Sequence, residues 1–185
     1  MIQNLTLHGA KLLQIKLFQD ERGFFNERYQ KTRFTDLGLP SEFIQDNHSR
    51  SKPGVIRGLH YQHSPSQGKL VSVIRGRIWD VILDLRPSFP TYGKWEAVEL
   101  NDVDGKLLWV PPGFAHGFAV LGSEPADVFY KVDAPYSPQT ESGIAYNDPE
   151  LKISWPAEVM KQVLVSKKDS ELPNFSHYRQ HPVFK

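Results

Sequence analysis

Apolar and polar residues alternate along this chain in short runs separated by turn residues. The runs 11–18, 24–29, 42–48, 55–62, 69–74, 77–85, 95–100, 106–110, 116–121 and 128–133 each read as a β-strand. Between them stand Arg86-Pro87-Ser88-Phe89-Pro90, Asn101-Asp102-Val103-Asp104-Gly105 and Val110-Pro111-Pro112-Gly113, residue types that stop strand pairing and turn the backbone. Strands at this spacing predict an all-β sandwich or barrel. Helical pattern is scarce. Thr32 to Leu37, with Phe34 and Leu37 three apart and Gly38 as a stop, predicts one short helix, and Pro156 to Gln162 a second. The Pro-containing tail from Pro173 to Pro182 predicts an extended arm laid over the body.

Length and composition narrow the picture. A chain of 185 residues, 39% of them hydrophobic, can enclose one sizeable core and is short for two. A single domain over residues 1–185 is expected. Lys and Arg number 22 against 21 for Asp and Glu, so no overall field draws the protein to nucleic acid or to a membrane surface. Any anion site must be local. The absence of cysteine excludes disulfides, thiolate metal sites and a Cys nucleophile. No stretch approaches the roughly 20 apolar residues that span a bilayer, and the first residues lack the basic-then-apolar pattern of a leader. A soluble cytoplasmic protein is the expectation. Gly68-Lys69 does not belong to a P-loop, because His63 and Leu70 stand where Gly and Ser or Thr are needed.

Two constellations carry candidate chemistry. The first is Gly54-Val55-Ile56-Arg57-Gly58-Leu59-His60-Tyr61-Gln62, followed by Lys69 and, seven residues on, Gly76. The second is Gly105-Lys106-Leu107-Leu108-Trp109-Val110-Pro111-Pro112-Gly113-Phe114-Ala115-His116. Together they resemble the paired motifs of cupins, which implies a cupin-type jelly roll with a few short helices. In metal-binding cupins a second His stands where this chain has Gln62, and a Glu where it has Lys69. An ammonium repels a divalent cation and an amide is a poor ligand, so the pattern argues against a metal site.

Further phrases make the resemblance narrower: Asp20-Glu21-Arg22-Gly23-Phe24-Phe25, Gln45-Asp46-Asn47, Gln67-Gly68-Lys69-Leu70-Val71, Pro111 to Phe118, Tyr130-Lys131 with Tyr136, Glu141-Ser142-Gly143-Ile144, Asn147-Asp148-Pro149 and Lys168-Asp169. In order and spacing they resemble the dTDP-4-dehydrorhamnose 3,5-epimerase family, metal-free cupin nucleotide-sugar epimerases, from about residue 10 to residue 172. The resemblance implies inversion of carbons 3 and 5 of a dTDP-4-keto-6-deoxy sugar with no cofactor. It assigns His60 as base, Asp169 as its hydrogen-bond partner, Lys69 as the cation beside the enolate oxygen and Tyr130 as proton donor. That set meets what epimerisation beside a ketone requires: a base, an electrophile and an acid on the far face.

The same resemblance places Arg22, Arg57 and Lys168 near the diphosphate and Gln45, Asp46 and Asn47 near sugar and phosphate. It places Glu27 and Tyr136 at the thymine, Glu141 at the ligand and His116 beside the reacting oxygen. In the family, Arg22 and Glu27 reach the site from a neighbouring subunit, which implies a homodimer. Three other readings remain open at this point: an epimerase acting on one carbon of a related dTDP-4-keto sugar, a metal-dependent cupin isomerase, and a non-catalytic sugar-binding jelly roll.

Overall fold

The computed structural model describes residues 1–185. Its elements in chain order are β1 (Ile2–Asn4), β2 (Lys11–Gln14), β3 (Leu17–Asp20), β4 (Gly23–Asn26), α1 (Lys31–Asp36), β5 (Gln45–Ser51), β6 (Ile56–Gln62), β7 (Lys69–Arg75) and β8 (Arg77–Asp84). There follow β9 (Trp95–Asn101), β10 (Lys106–Val110), β11 (Phe114–Val120), β12 (Ala126–Val132), β13 (Glu141–Gly143), α2 (Ala157–Met160), α3 (Lys167–Ser170) and α4 (Phe175–Gln180). One sheet has the order β1-β2-β10-β7-β12-β5 and a second the order β13-β6-β11-β8-β9, while β3 and β4 form a separate hairpin. From β5 onward nearly every connection passes from one sheet to the other, and this gives the expected all-β jelly roll.

Period-two alternation on β7, β8, β10, β11 and β12 builds the layer between the sheets. Val71, Val73, Leu108 and Val128 of the six-stranded sheet meet Ile78, Ile82, Phe118 and Val120 of the five-stranded one. The other face of the five-stranded sheet exposes Leu59, Tyr61, Val81 and Leu83, and the C-terminal segment covers them with Ile144, Leu151, Trp155, Phe175 and Tyr178. On the outer face of the six-stranded sheet, α1 seats Phe34 against Leu13, Leu70, Leu107 and Trp109.

The structure departs from the sequence expectations in several places, among them the expected strand 24–29, which ends at Asn26. The run 11–18 is two strands: the Ile15 amide still bonds the Gly105 carbonyl, one step on in the register of β2 with β10, and after it the chain turns into the β3–β4 hairpin. The strand expected at 42–48 lies three residues later, at Gln45–Ser51. Its inward face is Gln45, Asn47 and Ser49, which a search for apolar alternation passes over in favour of Phe43 and Ile44. The tail is not an extended arm: residues 175–180 form α4, with Phe175 and Tyr178 buried one turn apart. A carboxylate from another part of the chain begins that helix, since the Phe175 amide donates to Asp148 Oδ2 at 2.7 Å. Strands β1 and β13 and helix α3 were also unmarked by periodicity, each being four residues or fewer.

Candidate active site

Between the two sheets lies a cleft of ≈ 380 Å³. Strand β5 contributes Gln45, Asn47 and Ser49, β6 contributes Arg57, His60, Tyr61 and Gln62, β7 contributes Lys69, β11 contributes His116 and Phe118, and β12 contributes Tyr130. Tyr136 and Glu141 stand at its rim. The two walls therefore carry different chemistry. Both histidines stand on the five-stranded sheet, whereas Lys69 and Tyr130 stand on the six-stranded one.

His60 and His116 are cross-strand partners on β6 and β11, and each donates Nε2–H to a carboxylate. His60 meets Asp169 Oδ1 at 2.7 Å, and His116 meets both oxygens of Asp80 at 2.9 Å. Nε2 is so engaged and no protein group is bonded to Nδ1, which leaves that nitrogen open to a ligand in the cleft. Asp169 sits in α3, where its amide donates to Ser166 Oγ at 3.0 Å, and its second oxygen accepts from the Gly58 amide at 3.2 Å. Burial pushes Asp169 upward, but the bonds from His60, Gly58 and Ser166 outweigh it and hold the carboxyl below its usual range. Asp169 is an anion ready to stabilise an imidazolium. Glycine is required beside this pair: a Cβ on Gly117 would lie 2.6 Å from the Arg57 carbonyl oxygen, and Gly58 has φ +109.

Asp80 is fully buried, and burial raises its pKa against the opposing influence of His116. Sequence reasoning missed this residue. The available signal was a carboxylate in the middle of the apolar run Ile78 to Leu83, a place where a charge survives only with a partner.

Lys69 is 8% exposed. Burial lowers its pKa to about 8, against the charges of Glu141 and Asp133, which raise it. Tyr130 moves the other way: burial and then Glu141 raise its pKa, with Arg57 opposing. The phenol therefore keeps its proton at neutral pH and is available as an acid. Directly across from Tyr130 in the sheet is Asn47, whose Oδ1 accepts from Gln45 Nε2 at 2.8 Å.

At the rim, Glu141 accepts a hydrogen bond from the Tyr136 hydroxyl at 2.9 Å and is paired with Lys168. Burial raises Glu141, but the bonds from Lys168 and Tyr136 prevail and keep it ionised. Arg57 donates through Nε to Ser51 Oγ at 2.9 Å, which fixes its guanidinium at the edge of the cleft.

Three expected ligand contacts lie elsewhere in the protomer. Asp46 is on the opposite face of β5, where strand alternation places it, and pairs with Lys131 at 2.8 Å. The structure thus corrects its expected place beside Asn47 in the cleft. Arg22, at the tip of the β3–β4 hairpin, is 84% exposed and pairs with Asp20. Glu27 pairs with Arg33 at 2.8 Å. Neither lines this protomer's cleft. Nor do any three His, Asp or Glu side chains converge on a point that could hold a metal ion.

Imidazoles backed by carboxylates on one wall and a lysine and a phenol on the other define a jelly-roll protein equipped for acid–base chemistry on a small ligand. Comparison with known proteins makes the class specific. Residues 4–177 match the dTDP-4-dehydrorhamnose 3,5-epimerase family model, and the chain belongs to that family. It is 43% identical over 179 residues to the dTDP-4-dehydrorhamnose 3,5-epimerase of Methanothermobacter thermautotrophicus, covering 97% of this chain and 95% of that one. Identity to the Pseudomonas aeruginosa enzyme of the same name is 47% over 168 residues, covering 90% and 91%. Among solved structures, a dTDP-6-deoxy-D-glucose-3,5-epimerase from Legionella pneumophila in complex with dTDP-4-keto-L-rhamnose superposes with a TM-score of 0.90 at 45% identity, covering 95% of this chain and 93% of that one.

Proposed function

We propose that this protein inverts carbons 3 and 5 of dTDP-4-dehydro-6-deoxy-D-glucose to give dTDP-4-dehydro-L-rhamnose, working as one domain over residues 1–185. The observation that carries the mechanism is the division of labour between the sheets. His60 enters the cleft from one and Tyr130 from the other, so a flat enolate between them meets a base on one face and an acid on the other. His60 Nδ1 removes the proton beside the ketone, and Asp169 stabilises the resulting imidazolium. Lys69 and His116, both buried side chains that line the cleft, offset the charge that develops on the carbonyl oxygen. Tyr130 then delivers a proton to the far face, which completes the inversion.

Arg57 is suited to the diphosphate, since a guanidinium makes paired charge-assisted bonds to phosphate oxygens. Tyr136 offers a ring for the thymine. Gln45, Asn47, Glu141 and Lys168 complete the surroundings of sugar and phosphate. The β3–β4 hairpin exposes Phe18, Phe24 and Phe25 along with Arg22, and a homodimer in which this arm lies on the neighbouring subunit would cover those rings and bring Arg22 and Glu27 to the second cleft. The proposed work is cytoplasmic and requires no cofactor. No helix is long and apolar enough to cross a membrane.

The test is incubation with dTDP-4-keto-6-deoxy-D-glucose in deuterated water, followed by NMR. Deuterium at carbons 3 and 5 with inverted configuration at both is the expected result. Label at one carbon alone would make the protein a single-site epimerase, and no label at either carbon would refute the epimerase reading.

A further inference from the structure

Gln62 occupies the place where the cupin pattern puts a second metal-ligating histidine, and its side chain is fully employed in another task. It is 3% exposed and lines the cleft. Nε2 donates to the Pro65 carbonyl at 2.7 Å and to the Pro135 carbonyl at 2.9 Å. Oε1 accepts from the Ser137 amide at 2.8 Å. One amide thus uses both donor hydrogens and an acceptor to join the segment after β6 to the loop before β13.

The residue between those last two contacts is Tyr136. Its ring is 52% exposed, yet its surroundings are fixed on every side. The backbone amide donates to Gln45 Oε1 at 3.2 Å and the hydroxyl to Glu141 at 2.9 Å, while Gln62 holds the carbonyl before it and the amide after it. An exposed aromatic ring on a loop ordinarily loses conformational freedom when a ligand binds; here that ordering is already complete.

We propose that Gln62 is a positioning residue for nucleotide recognition, holding Tyr136 as a preformed stacking platform from the site of a lost metal ligand. This role rests on the epimerase reading, which supplies the nucleotide. Gln62 acts through Tyr136 and touches no reacting atom. Losing it therefore weakens ground-state binding and leaves proton transfer between His60 and Tyr130 intact.

The test is a double-mutant cycle on the full chain with Gln62→Glu, Gln62→Met and Tyr136→Ala, reading KM, kcat and dTDP affinity by calorimetry. Stacking of a base on an aromatic ring predicts a loss of roughly 5- to 100-fold in dTDP affinity for Tyr136→Ala. Either Gln62 variant is expected to raise KM and the dTDP dissociation constant together by at least about 5-fold, with kcat within about twofold of the parent. In the Tyr136→Ala background the same substitution should change neither constant. An equal effect in both backgrounds, a fall in kcat at constant KM, or unchanged dTDP affinity overturns the proposal. So does failure of both Gln62 variants to fold, which would make the amide a packing element. Should the unaltered protein bind no dTDP and exchange no deuterium, it is the epimerase reading that falls.

Discussion

Replacing Lys69 with methionine should abolish turnover and make the protein more stable, and the gain should depend on pH in a defined way. The lysine is 8% exposed, and its pKa falls from 10.5 to about 8 because burial disfavours the charged form more than Glu141 and Asp133 favour it. At about 1.4 kcal/mol for each factor of ten in proton affinity, holding this ammonium in the fold costs about 3 kcal/mol relative to a neutral side chain of similar shape. Below pH 8 folded and unfolded chains are both protonated at this position, so the full penalty is present. Between pH 8 and 10.5 the folded form releases its proton while the unfolded form retains it. The unfolded state then binds more protons, and stability rises with pH through that window. Methionine keeps the aliphatic stem and removes the charge. Urea denaturation at pH 7 should give Lys69→Met an advantage approaching about 3 kcal/mol, declining towards zero near pH 10.5. A variant less stable than its parent at pH 7, or a difference constant from pH 7 to 10, would refute the account. A stability gain with loss of activity is what a group retained for chemistry predicts.

His60→Asn should lower turnover by at least about 100-fold, the low end for a positioned acid or base, while the chain still folds; a folded variant with most of its turnover would make His60 structural. Asp169→Asn should also be severely impaired, because a neutral amide cannot stabilise the imidazolium, and near-normal kinetics would remove Asp169 from the mechanism. For Tyr130→Phe, deuterium exchange at the reactive carbon should outrun inversion, since His60 and Lys69 still form the enolate and only delivery from the far face is lost. Inverted product at the normal rate would assign the acid to another group. Exhaustive chelation should leave activity unchanged, given Lys69 and Gln62 at the ligand positions, and full loss restored by one divalent ion would contradict this.

The parts of the site that the sequence displays are those fixed by local spacing. Two cupin motifs placed His60 and His116, and the contradiction between the motif and Lys69 was already visible as a charge where a ligand belongs. Partnerships across the fold were not visible in the same way. Asp169 is 109 residues from His60 and entered through family resemblance alone. Asp80 left only its anomaly as a carboxylate in an apolar strand. Strand β5 was misplaced because its inward face is polar, and that polarity is what the cleft requires. Asp46 shows the limit of reading a phrase as a unit: its neighbours Gln45 and Asn47 face the cleft, and alternation along a strand turns Asp46 away. The C-terminal helix went unseen because it depends on Asp148 and on the apolar face of a distant sheet.

The dependence of His60 on α3 has a consequence for how the protein is made. Synthesis proceeds from the N-terminus, and segments fold as they become available. A growing chain that has emerged as far as β13 possesses both sheets, the base and the phenol, but not the carboxylate that arms the base. Nor does it have the cover of Trp155, Phe175 and Tyr178 over Leu59 and Tyr61. Ser166, Asp169 and the helix after them arrive after every strand, and in docking they hide exposed apolar surface and bring Oδ1 of Asp169 against His60. Catalytic competence is therefore acquired only after both sheets have formed, in the same event that closes the core, and a chain interrupted before residue 169 would be both inactive and adhesive.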